Sequence, residues 1–189
     1  MAGPNSKANI TLTSYDVDNP YVVIENIEMF SFSALSFKDA NEEDTNTGKI
    51  TVYYELNPSA FVVDGSKYKA KLALQLSYQD LAPQAPTTRA TVNLFQEFKD
   101  SGGSIDVKYK CNDVTTNITP TINSQGFIEF EHSIELSGAP PGPIKFSITY
   151  EFTIGNGGNF HNAFGKYIAV GNNSTPTKFI ARAQLTNST

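Results

Sequence analysis

The amino-acid sequence predicts an all-β protein: an antiparallel β-sandwich of about ten strands, with a jelly-roll-like arrangement as the topology that fits best. Three observations lead there. Apolar and polar residues alternate over segment after segment, and side chains on a strand point to opposite faces in turn, so each segment is a strand with one buried and one wet face. Clusters of Gly, Pro, Asn and Asp separate these segments. Charged residues are scarce at 17%, and Thr, Ser and Asn fill the polar positions, which suits sheet faces and argues against long helices or a coiled coil. A chain of 189 residues suffices for one sizeable core, so residues 8–189 read as a single domain behind a polar, flexible arm at residues 1–7.

The arm either trails in solution or pairs with a neighbouring subunit. Ile10 and Leu12 alternate with Asn9, Thr11 and Thr13 as a short first strand. Tyr15 to Pro20 is a turn rich in Asp and Asn. Tyr21–Glu25 and Glu28–Phe37 follow as strands, the second with a slip near Ala34 and Leu35 that marks a β-bulge. Asp39 to Gly48 is an acidic loop without the spacing of a calcium-binding hand. Ile50, Val52, Tyr54 and Leu56 share the buried face of the next strand, and Thr51, Tyr53 and Glu55 its wet face. Phe61–Val63 is a short apolar piece closed by the turn pair Asp64-Gly65. Ser66–Gln79 is the longest regular stretch, with Ala70, Leu72, Leu74 and Leu76 on one side.

Pro83 and Pro86 interrupt the sheet pattern before Arg89–Lys99, which is expected to be a strand with a slip near Leu94-Phe95; no helix of useful length is predicted anywhere. Ile105–Cys111 is a strand ended by the turn Asn112-Asp113. Val114, Thr116, Ile118 and Ile122 then share a face, and Pro120 confines that strand to a sheet edge or ends it. After a tight turn at Asn123–Gly126, residues 127–136 and 144–154 are expected to form an antiparallel hairpin across the Pro-rich connection Ser137–Pro143. That pairing would set Glu129, Glu131 and Glu135 near Lys145. A Gly- and Asn-rich loop, Gly155–Gly165, a short strand, Lys166–Val170, a second polar loop and a final strand, Lys178–Thr186, complete the chain.

Composition excludes several classes. Net charge is −5, and the 14 Lys and Arg are scattered, so the basic patch a nucleic-acid binder needs is missing, and no nucleic-acid partner is expected. A single cysteine, Cys111, forbids an internal disulfide and reads as a small buried hydrophobe. No apolar run approaches the ~20 residues needed to cross a bilayer, so no membrane insertion is expected. The first residues lack the pattern of a secretory signal, so the chain is expected to be made in the cytosol or already processed, which leaves a virion or extracellular surface open. Asn-x-Ser/Thr triplets at Asn9, Asn117, Asn172, Asn173 and Asn187 follow from the composition and do not imply glycosylation.

Chemistry-bearing patterns are sparse. No Cys/His cluster has zinc spacing, no phosphate-cradling loop precedes a helix, and no nucleophile elbow occurs, so no catalytic residue, metal or cofactor is assigned. His132 lies on an apolar strand face and reads as a core or rim histidine satisfied by one hydrogen bond. The candidate contact residues are in loops. Phe160 and Phe164 stand among water-favouring residues beside Asn159 and His161, and either anchor a partner or fold back to plug the sandwich. Asp16, Asp18 and Asn19, with Tyr15, form either a sugar-binding group or ordinary turn chemistry. The expected function is a non-enzymatic structural protein, a self-assembling homo-oligomeric subunit of a virion coat, surface layer or filament. The alternatives are a module whose end loops bind a glycan or other ligand and, after it, an enzyme on a sandwich.

Overall fold

A computed structural model describes residues 5–12, 22–28, 37–38, 44–45, 47–78, 94–100, 102–153 and 178–186. In chain order these form β1 (Asn5–Leu12), β2 (Val22–Glu28), β3 (Phe37–Lys38), β4 (Asp44–Thr45), β5 (Thr47–Leu56), a 3-10 turn (Pro58–Ala60), β6 (Val62–Asp64) and β7 (Lys67–Tyr78). There follow α1 (Leu94–Asp100), β8 (Ser104–Cys111), β9 (Val114–Ile118), β10 (Thr121–Ile122), β11 (Ile128–Leu136), β12 (Ile144–Thr153) and β13 (Lys178–Leu185). One sheet has the order β1-β5-β12-β8-β9 and the other β10-β11-β7-β13-β2, with β6 added to β7; β3 and β4 pair with each other. The protein is an all-β sandwich, as the alternation predicts.

The pairing has a nested logic. β2 pairs with β13, β5 with β12, β7 with β11 and β8 with β9, each time antiparallel. The first of these eight strands meets the last, the second meets the seventh, and so inward to a hairpin at the middle. Such a ribbon, wound on itself, alternates between two sheets and gives β2-β13-β7-β11 facing β5-β12-β8-β9, which is a jelly roll. β1 lies outside the ribbon and adds in parallel to β5, with Asn5 opposite Lys49 and Leu12 opposite Leu56. Asn5–Lys7, the end of the expected arm, thus begin a paired strand.

The inner faces follow the two-residue period. Ile50, Val52, Tyr54 and Leu56 of β5 and Phe146, Ile148, Tyr150 and Phe152 of β12 are buried against Ala70, Leu72, Leu74 and Leu76 of β7. Ala181 and Ala183 of β13, both fully buried, leave room for the aromatic rings of the facing sheet. Each fully buried Leu or Phe contributes about 1.5–3 kcal/mol. At one end α1 closes the sandwich. Its Phe95 stacks on Phe152 and Phe179 with ring centroids 5.7 and 6.2 Å away, and its Phe98 meets Phe152 edge-on at 5.9 Å. The chain leaves α1 through Gly103, where an added Cβ would lie 2.6 Å from the Phe98 ring, so a side chain has no room.

Three expectations are overturned. Asp44–Thr45 and Thr47–Gly48, expected within the acidic loop Asp39–Gly48, lie in β4 and β5. Leu94–Asp100 is helical, not part of a strand. The supposed slip near Leu94-Phe95 is a change of period: Phe95 and Phe98, three apart, share the buried face of a helix. Nor do β11 and β12 form a hairpin. β11 pairs with β7 in one sheet, and β12 pairs with β5 and β8 in the other. The connection Ser137–Pro143 therefore crosses between sheets, and its prolines cannot extend either ladder. Glu135 accordingly meets Lys67 at 2.6 Å and Lys69 at 3.7 Å across β7, not Lys145. The bulge near Ala34, the turn Tyr15–Pro20, the loop Gly155–Gly165 and the strand Lys166–Val170 lie outside the described residues.

Candidate functional site

The sheet with β12 at its centre presents a polar outer face, and the two halves of that face differ. Near the α1 end its groups satisfy one another. Glu151 lies between Lys108 at 3.0 Å and Lys49 at 3.4 Å, and the Thr51 and Thr149 hydroxyls are 3.2 Å apart. Partial burial pushes the Glu151 carboxyl up, but the ammonium groups, Lys108 first and then Lys49, outweigh it and hold it below the usual carboxylate range.

Toward the opposite end the register sets Asn9, Tyr53, Ser147 and Lys110 in one row across β1, β5, β12 and β8. Thr11, Glu55 and Lys145 form the next row. These rows and the turn Asn112-Asp113 line a hollow of about 470 Å³. Tyr53 is 44% exposed beside it. Among the described residues the side chains of Asn9, Glu55, Lys110, Asp113 and Lys145 take part in no hydrogen bond or ion pair.

The hairpin β8–β9 borders the hollow. Asn112 and Asp113 both have positive φ, 51° and 65°, which makes a two-residue turn whose twist matches the strands. Its register puts Val114 on the inner face beside Cys111, yet Val114 is 63% exposed. Thr115, Thr116 and Asn117 are exposed as well, so β9 projects past the cover of the second sheet. In a two-residue hairpin the flanking pair exchanges both ladder bonds. Cys111–Val114, Tyr109–Thr116 and Val107–Ile118 are therefore the bonded pairs, and Thr115 and Asn117 direct their backbone groups away from β8.

Beneath the hairpin, on the inner side, polar groups mix with aromatic rings. His132 is half-buried, with its ring centroid 4.2 Å from Tyr109 and 5.9 Å from Phe146. Its Nε2 is buried without the hydrogen bond the sequence leads one to expect, and burial holds its pKa below the ordinary value. Cys111 is half-buried and donates from Sγ to the Lys145 carbonyl at 3.4 Å. Burial, and after it the hydrogen bond to Cys111, pushes the Tyr109 hydroxyl up. The hydroxyls of Tyr54 and Tyr150 are buried without partners.

The contact residues that the sequence singles out, Asp16, Asp18, Asn19, Asn159, Phe160, His161 and Phe164, lie outside the described residues. Sequence reasoning passes over Tyr53, although an aromatic ring between Thr51 and Glu55 on the wet face of a regular strand is a legible signal. Among the described residues no group of three His, Cys, Asp or Glu is placed to hold a metal ion. No described helix is long and apolar enough to cross a membrane. The chain matches no protein-family model and no curated protein sequence.

Proposed function

We propose that the protein is a non-enzymatic assembly subunit whose copies join by pairing their β9 strands edge to edge. One observation supports this above the rest: β9 is exposed along Val114–Asn117 and carries no charge. Jelly rolls serve many functions, so the fold alone favours none. An edge strand offers unpaired N–H and C=O groups to another chain, and proteins that must stay apart blunt such edges with charge, proline or cover. The stretch of β11 beyond the two residues paired with β10 is blunted in this way, since Glu131 and Glu135 lie along it and Glu135 is held by Lys67. β9 has Val, Thr, Thr, Asn and Ile, a composition that favours strand pairing. Two copies related by a two-fold axis would set β9 antiparallel to its mate and join two five-stranded sheets into one. That pair is the repeating unit we assign to a larger shell, layer or filament.

Light scattering on the full chain at tens of micromolar, a concentration on the order of ordinary self-association constants, should give at least twice the monomer mass. Asn117→Pro removes an outward N–H without breaking a bond to β8, and Thr116→Lys puts a charge on the inner side of the edge. Each should give a monomer with an unchanged circular dichroism spectrum. A wild-type chain that stays monomeric, or variants that assemble as well as it does, would overturn the reading.

A further inference from the structure

We infer that the hollow beside Tyr53 binds a neutral saccharide. Volume sets the scale: about 470 Å³ falls within the roughly 300–1,000 Å³ of small-molecule sites. Charge sets the class. Glu55 and Asp113 oppose Lys110 and Lys145 around the rim, two negative groups against two positive, so the site has no net attraction for a phosphate or another anion. The same four groups, with the Asn9 amide and the Thr11 hydroxyl, are donors and acceptors spread around one concave surface. That arrangement matches a ligand rich in hydroxyls.

The exposed ring completes the match. A pyranose has one face of C–H bonds and a rim of hydroxyls, and a tyrosine offers a flat apolar face with a polar tip. Tyr53 stands on β5, which is paired on both sides, with β1 and with β12. Its ring is thus mounted on a rigid central strand, and little ordering remains to be done when the ligand arrives. A peptide is disfavoured because the hollow holds one aromatic platform and no second apolar pocket for alternate side chains. The polar groups near Glu151 make a useful contrast. There the charges are already taken up within the face, whereas those of the hollow are free to bind.

The test is an array of neutral, sialylated and sulfated oligosaccharides probed with the full chain, followed by titration calorimetry with the best neutral glycan. The wild-type chain should retain at least one neutral glycan. Tyr53→Thr keeps the strand preference but deletes the ring, and should lower affinity by at least about tenfold. Tyr53→Phe should stay within about threefold, since the stacking face remains. Asn9→Ala should weaken binding without changing thermal stability. The monomeric Asn117→Pro variant should titrate with the wild-type affinity, so failure of assembly and failure of binding are read separately. Retention of no neutral glycan, retention of acidic glycans alone, or equal binding by Tyr53→Thr would each overturn the assignment.

Discussion

The two ends of β12 sit in different surroundings. At Phe152 the sandwich is closed by stacked phenylalanines, with Phe95, Phe98 and Phe179 all buried to 1% exposure or less. At Phe146 the neighbours are Tyr54, Tyr109 and His132, and outside them lie the hollow and the uncovered β9. One end is closed by packed phenylalanine rings. The other buries polar atoms without partners beneath a surface whose charges are also unpaired. A domain gains nothing in stability from unsatisfied polar groups, and the His132 Nε2 and Tyr54 hydroxyl at this end are two of them, so this end is less given over to holding the molecule together than the phenylalanine cluster is.

The largest effect should come from emptying the phenylalanine-packed end. Phe95→Ala removes a fully buried ring from a four-phenylalanine cluster and should cost about 3–5 kcal/mol in urea unfolding. Gly103→Ala crowds the Phe98 ring and should cost about 1–3 kcal/mol. Tyr53→Thr at the other end should stay within about 0.5 kcal/mol of wild type. If Phe95→Ala were equally mild, α1 would be an ornament and not a plug, and the contrast would collapse.

How well each end can be read from sequence has a physical basis. β12 and β7 are legible because a two-residue period over ten or twelve residues has no helical counterpart. α1 is not, because in seven residues the two periods both place Phe95 and Phe98 acceptably once a slip is allowed. The false hairpin has another cause. Matching wet faces are necessary for two strands to pair but do not choose the partner. Ser137–Pro143 is long enough to cross the ~10 Å between packed sheets, and the winding of the whole ribbon decides which ladder each strand joins. The hollow is illegible for the same reason: Asn9, Tyr53, Lys145 and Lys110 are brought into adjacent rows only by register across four strands. Tyr53 alone announces itself.

A smaller effect, of opposite sign, should follow from Tyr54→Phe. The ring is stacked on Phe146 at 4.9 Å with 8° between planes, and phenylalanine keeps that stack. What it loses is a buried hydroxyl without a partner. Removing such a group should raise stability by about 1 kcal/mol. The same change at a satisfied hydroxyl would lower it, so a fall in the urea midpoint would mean that the Tyr54 hydroxyl is hydrogen-bonded and that this end is better satisfied than its geometry indicates.

The smallest effect should be a pH dependence confined to the same end. Burial lowers the folded pKa of His132 from its ordinary value of 6.5. Above that value the ring is neutral in both folded and unfolded chains, and its contribution is fully present. As the pH falls through 6.5 the unfolded chain takes up the proton first, so stability declines, and it levels off once the pH passes below the lowered folded value. The carboxylates held low by lysines, Glu151 and Glu135, act in a separate window, at and below their ordinary value of 4.5. His132→Phe should therefore flatten the wild-type stability profile from pH 6.5 down to the lowered folded value and leave its acid limb unchanged. The facing rings are Tyr109 and Phe146, neither of which titrates there, so the slope that the substitution removes belongs to the His132 imidazole. Amide hydrogen exchange localises it. On acidification, opening corrected for intrinsic rates should rise at Lys108–Cys111 and not at Leu94–Asp100, because the phenylalanine cluster contains no proton acceptor. Equal loosening of both segments would show that the two ends open as one unit, and the distinction between them would then be one of composition without energetic consequence.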